Sequence, residues 1–154
     1  MKLGLLLLTI LIGCSSSKNV DTPAEKNNEN TQLSFEVLVE DQIGGFVKEE
    51  IRIIKNRESL LEVYGYVNRI RKPGFSIPKV DFSKETIIAV FMGEKTTGGF
   101  SVTIENVKEE NKKLIVKIKE TKPGPKDMVT MAITQPFCFV KINNVGKEFV
   151  FEKL

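Results

Sequence analysis

This sequence predicts a mainly β fold (α+β), a small antiparallel β-sandwich with one packed helix. Three observations predict it. Apolar residues alternate with polar ones at a period of two through much of residues 33–154. Residues 86–92 form an apolar run without alternation, which suits a central strand covered on both faces. One segment, residues 56–67, instead carries its apolar residues at helical spacing.

The elements follow in order. Residues 33–40 and 45–54 read as strands. Asn56 then stands where an N-cap is needed, and Glu58 lies in the first turn, where negative charge suits the helix dipole. Leu60, Val63, Tyr64 and Val67 form one stripe, and Gly65 weakens the helix locally. After the 86–92 strand, Phe100, Val102 and Ile104 share one face and Ser101, Thr103 and Glu105 the other. Leu114, Val116 and Ile118 repeat the pattern, with lysines outward. The polar residues 108–113 between these two strands predict a hairpin turn. Further strands are expected at residues 128–133, 137–142 and 148–151. Lys72-Pro73-Gly74 and Lys122-Pro123-Gly124-Pro125 mark loops.

Composition narrows the function classes. The 154 residues carry 23 basic and 20 acidic side chains, a balance unlike that of a dedicated nucleic-acid binder. The absence of histidine excludes Ser-His-Asp and Cys-His catalysis and any histidine-ligated metal. No cofactor or metal site is expected.

The N-terminus is organised differently. Met1 and Lys2 precede ten residues that are almost wholly apolar, too few to span a bilayer but suited to a signal h-region. Leu11-Ile12-Gly13-Cys14 follows, and it resembles the lipobox of bacterial lipoprotein signal peptides. The resemblance implies cleavage after residue 13 and a diacylglycerol thioether on Cys14. A plain secretory signal that happens to contain a cysteine is the alternative. Residues 14–32 are polar, with few apolar residues beyond Val20 and Ala24, and read as a flexible tether to a domain at residues 33–154. The expected location is the cell envelope, with the lipid bilayer a partner through acylated Cys14. Ser15, rather than Asp, next to Cys14 favours the outer membrane where the host has one. With Cys14 lipidated, Cys138 has no intrachain disulfide partner.

Residues 81–102 open with Asp81-Phe82 and contain Gly93-Glu94-Lys95-Thr96-Thr97-Gly98-Gly99-Phe100. This stretch resembles the PrcB C-terminal domain family, in which an Asp-Phe strand entry is followed by a Gly-x-x-x-Thr-Gly-Gly-aromatic turn. The likeness runs over residues 82–142 through Pro123-Gly124-Pro125 and Gln135-Pro136-Phe137. It implies a secreted or lipid-anchored, non-catalytic protein that accompanies an extracytoplasmic protease complex.

The candidate site is therefore a protein-binding one: Thr96, Thr97, Gly98, Gly99 and Phe100, with Pro123, Gly124 and Pro125 from the neighbouring loop. Paired glycines at a strand junction equally fit a purely structural turn or bulge. Thr96-Thr97-Gly98 is also similar to the Asn-Pro-Thr-Thr-Gly loop of chagasin-like cysteine-protease inhibitors, although Glu94-Lys95 replace the Asn-Pro. Protease inhibition through this turn is one alternative. A glycan-binding or surface-structural module is another, and it would need Phe100 and Phe75 as an exposed platform. A hydrolase would need paired acids such as Asp81, Glu94 or Asp127. Cys138 reads as a small buried hydrophobe. Lys112, Lys113, Lys117 and Lys119 read as a basic edge that resists edge-to-edge pairing, with contact to anionic lipid or glycan a lesser reading.

Overall fold

The computed structural model describes residues 31–143 and 146–154. The leader, Cys14 and most of the predicted tether lie outside the described residues. The elements are β1 (Thr31–Gln32), β2 (Phe35–Asp41), β3 (Glu49–Ile54), α1 (Arg57–Asn68), β4 (Glu85–Met92), β5 (Ser101–Glu110), β6 (Lys113–Thr121), β7 (Phe137–Asn143) and β8 (Glu148–Lys153). They form two four-stranded sheets, in the orders β1-β5-β6-β8 and β2-β7-β4-β3. Every pairing is antiparallel except β6 with β8, which is parallel.

The apolar run in β4 explains the layering. Its side chains alternate between two cores. Ile88, Val90 and Met92 join Val102, Ile104, Leu114 and Val116 in the space between the sheets. Ile87, Ala89 and Phe91 point the other way and meet the helix stripe of Leu60, Val63, Tyr64 and Val67. The molecule thus has three layers: sheet, sheet, helix. The strand is covered on both faces, as its sequence predicted.

Local chemistry fixes the ends of the elements. The side chain of Asn56 accepts a hydrogen bond from the Ser59 amide at 2.8 Å, closing the N-terminus of α1. Past the helix, Asn68 holds Phe75 from both sides, accepting from its amide at 2.7 Å and donating to its carbonyl at 2.9 Å. The hairpin between β5 and β6 turns on Asn111 and Lys112 alone, both with positive φ (50° and 64°). That pair of angles is the twist-matched two-residue turn, so the six-residue turn expected from polarity shrinks to two. A bulge between Ile104 and Asn106 keeps Ile104 and Val107 on the buried face despite their odd spacing.

Four expectations are corrected. Thr31 and Gln32, placed in the tether for their polarity, pair with Glu109 and Lys108 of β5. Backbone groups make that ladder, and side-chain polarity does not oppose it. Residues 45–48 lie outside β3, which begins at Glu49. The lysines of β6 do not line an edge: β8 covers it, and Lys113 pairs with Glu148 at 3.1 Å. Residues 128–133 form no strand at all, and this difference shapes the candidate site.

Candidate functional site

The segment between β4 and β5 is anchored by backbone bonds to the segment before β7. Lys95 and Thr134 exchange two amide–carbonyl bonds, at 2.8 and 2.9 Å. The Gly98 amide donates to the Thr130 carbonyl at 2.9 Å, and the buried Thr134 hydroxyl donates to the Thr97 carbonyl at 2.8 Å. The feet of the 130–134 segment are thereby fixed, and the residues between them arch outward.

The glycines serve this packing. A Cβ on Gly98 would sit 2.4 Å from the Thr130 hydroxyl oxygen, which would have to swing away to admit it. Gly99 has φ of +86°, and a Cβ there would meet Pro123 at 3.0 Å and Val129 at 3.1 Å. Gly98 is buried, Thr97 and Phe100 are half-buried, and Thr96 and Gly99 are exposed. Phe100 rests against the inter-sheet core, with the Lys95 ammonium 5.9 Å from its ring centre.

The structure therefore brings the two predicted segments together, with Gly99 against Pro123 in an open groove that also takes in Lys126 and Met128. Gly124 and Pro125 are exposed at its lip, where the Gly124 amide donates to the Asp127 carboxylate at 2.7 Å.

Residues that sequence reasoning assigned to a strand complete this surface. Met128 is fully exposed (102%), Met131 nearly so (87%), and Ile133 is 63% exposed. The signal was present in the sequence: apolar residues stand at 128, 129, 131, 132 and 133, a run that does not alternate. The run follows a Pro-Gly-Pro loop, and its backbone bonds go to the turn, from Gly98 to Thr130 and between Lys95 and Thr134.

The other candidates lie apart from this surface or lack the geometry they need. Cys138 is completely buried between the sheets, and burial pushes its thiol up to about 12. It is a packed core residue and no nucleophile. Asp81 precedes β4 and Glu94 follows it, so the length of the strand separates these two acids. The Asp81 carboxyl is held below its usual range by hydrogen bonds from the Ser83 hydroxyl and amide. Glu94 accepts from the Gln135 side-chain amide at 2.9 Å. Phe75 is partly buried beside Phe137 with the Arg71 guanidinium over its face, so it is no open platform for a sugar ring.

The family model described as PrcB C-terminal matches residues 86–143, from the start of β4 to the end of β7. That span contains the turn, the groove and the exposed arch. No curated protein and no solved structure matches the chain.

Proposed function

We propose, from the match of the PrcB C-terminal family model to residues 86–143, that this chain is a membrane-anchored lipoprotein whose domain is a non-catalytic, protein-binding accessory of an extracytoplasmic protease complex. The observation that carries the binding role is the arch. Met128, Met131 and Ile133 stand in water beside the family's signature turn. Large apolar side chains grouped in this way mark an interaction site more often than chance exposure does. Methionine adds a flexible, polarisable surface that adapts to a partner.

The position of the site favours an accessory role. β1 enters the sheet opposite Glu109, while the turn and the arch adjoin Ser101 and Thr121 at the other end of β5. Eight residues of strand separate the two ends, about 26 Å. A lipid on Cys14, joined through the expected tether, would leave this end of the domain free to meet a partner. Inhibition by insertion of the turn fits less well, because Thr97 and Gly98 are tied down onto residues 130–134.

The test is cross-linking of the full chain in the native host envelope, comparing the parent with a Met131→Asp, Ile133→Asp variant. Both side chains are exposed, so the variant keeps its fold, checked by circular dichroism. The parent is expected to capture an envelope or extracellular protease that the variant loses, with the protease still active in the captured complex. Identical captures by parent and variant would remove the arch from the function. Loss of protease activity in the complex would move the reading to inhibition.

A further inference from the structure

Resting on that docking reading, we propose that the arch and groove recognise an amphipathic protein segment of acidic character: apolar anchor residues flanked by carboxylates. Three ammonium groups surround the exposed Met128, Met131 and Ile133 surface. Lys126 is exposed in the groove and makes no ion pair among the described residues. Lys95 faces the Phe100 ring at 5.9 Å and has no carboxylate partner among the described residues. Lys122 lies 3.8 Å from Glu120, but that carboxylate is already held by Lys153 at 2.8 Å.

The nearby acids are occupied by the fold itself. Asp127 accepts from the Gly124 amide, and Glu94 accepts from the Gln135 side chain. Those two acids keep their charge but are turned onto the loop, so the groove itself sets Lys122 and Lys126 against Asp127 and carries a net positive charge. Carboxylates flanking an apolar anchor would complement this surface, and a basic partner would be repelled.

Two other occupants fit less well. In a two-fold contact between copies of this chain the same basic groove would face itself, setting Lys126 near its own counterpart. A bilayer would match the methionines and lysines, but the groove beside them at Gly99 and Pro123 is concave and suits an inserted side chain better than a lipid surface.

The experiment uses the full chain in nanodiscs of zwitterionic lipid. The probes are two short fluorescein-labelled peptides of Leu and Phe, one with Glu at its polar positions and the other with Lys. Fluorescence anisotropy is expected to show binding of the Glu peptide that weakens with added salt, and little binding of the Lys peptide. Met131→Asp should abolish binding. Lys122→Glu with Lys126→Glu should weaken the Glu peptide about tenfold and favour the Lys peptide. Equal binding of both peptides would overturn the proposal. So would binding of neither while the parent still captures its native partner, which would leave docking intact and refute only the acidic chemistry. Failure of both experiments would remove the docking reading as well. Met131-dependent flotation with phosphatidylglycerol vesicles would assign the surface to lipid and likewise overturn the proposal.

Discussion

Single residues in this chain divide by what encloses them. Cys138 and Tyr64 are both sealed in cores, one between the sheets and one under the helix. Burial pushes the Cys138 thiol up to about 12 from an ordinary 9.0, and the Tyr64 phenol up to about 12 from 10.0. In the unfolded chain both release their protons at the lower values. A raised folded pKa contributes stability that is complete below the unfolded value and is lost as pH rises toward the folded one. The denaturation midpoint should therefore fall between about pH 9 and pH 12. In a Cys138→Ala variant, less stable at neutral pH, the remaining fall should be shallower and begin nearer 10, where Tyr64 titrates, followed by Lys108, Lys141 and Lys153, whose carboxylate partners raise them. A midpoint flat across that range would mean that neither proton is protected. The glycines at 98 and 99 show the same dependence on surroundings. Their freedom matters because Thr130, Pro123 and Val129 press against them.

Elements obey the rules of their own turns and partners. The β5–β6 hairpin closes through Asn111 and Lys112 at positive φ, which asparagine tolerates and lysine resists. Lys112→Gly removes that resistance in the hairpin where glycine is the preferred second residue. The variant should be more stable by about 0.5–1 kcal/mol, read as a rise in thermal midpoint. A lower midpoint would mean that the side chain of Lys112 contributes something the turn geometry does not. The helix was legible for comparable local reasons. Asn56 announces its start, and the four apolar residues at helical spacing are the four it buries. The 128–133 segment was misread because strand assignment rests on having a partner. Its neighbours in the chain fold into a turn and a groove, and the bridges nearby, Lys95 with Thr134 and Ile43 with Gln135, pair the last foot of the arch and the residue after it and not its length.

At the scale of the whole molecule, two sheets and a helix set the ends of one domain apart. The point where the chain joins the sheet and the exposed apolar surface lie at opposite ends of β5. The proposed anchor can be tested separately from the proposed partner. Cys14→Ser should shift the full chain from the detergent phase to the aqueous phase and abolish labelling with a fatty-acid probe. Unchanged partition would rule out Cys14 as the anchor, whatever the arch binds. Among the described residues no helix is long and apolar enough to cross a membrane, so this test bears on Cys14 and the leader before it.

The sequence by itself determined the fold class, the helix with its cap and buried stripe, the two-faced β4, and the turn that carries the family likeness. Each depends on residues near one another in the chain, through period, capping or glycine spacing. Tertiary structure alone decided that β8 runs parallel to β6 and that Thr31 and Gln32 join a sheet. It also decided that Gly99 meets Pro123 and that Met128, Met131 and Ile133 stand exposed. Those outcomes depend on which backbone groups and surfaces remain unpartnered once distant segments have packed, and no local pattern records that.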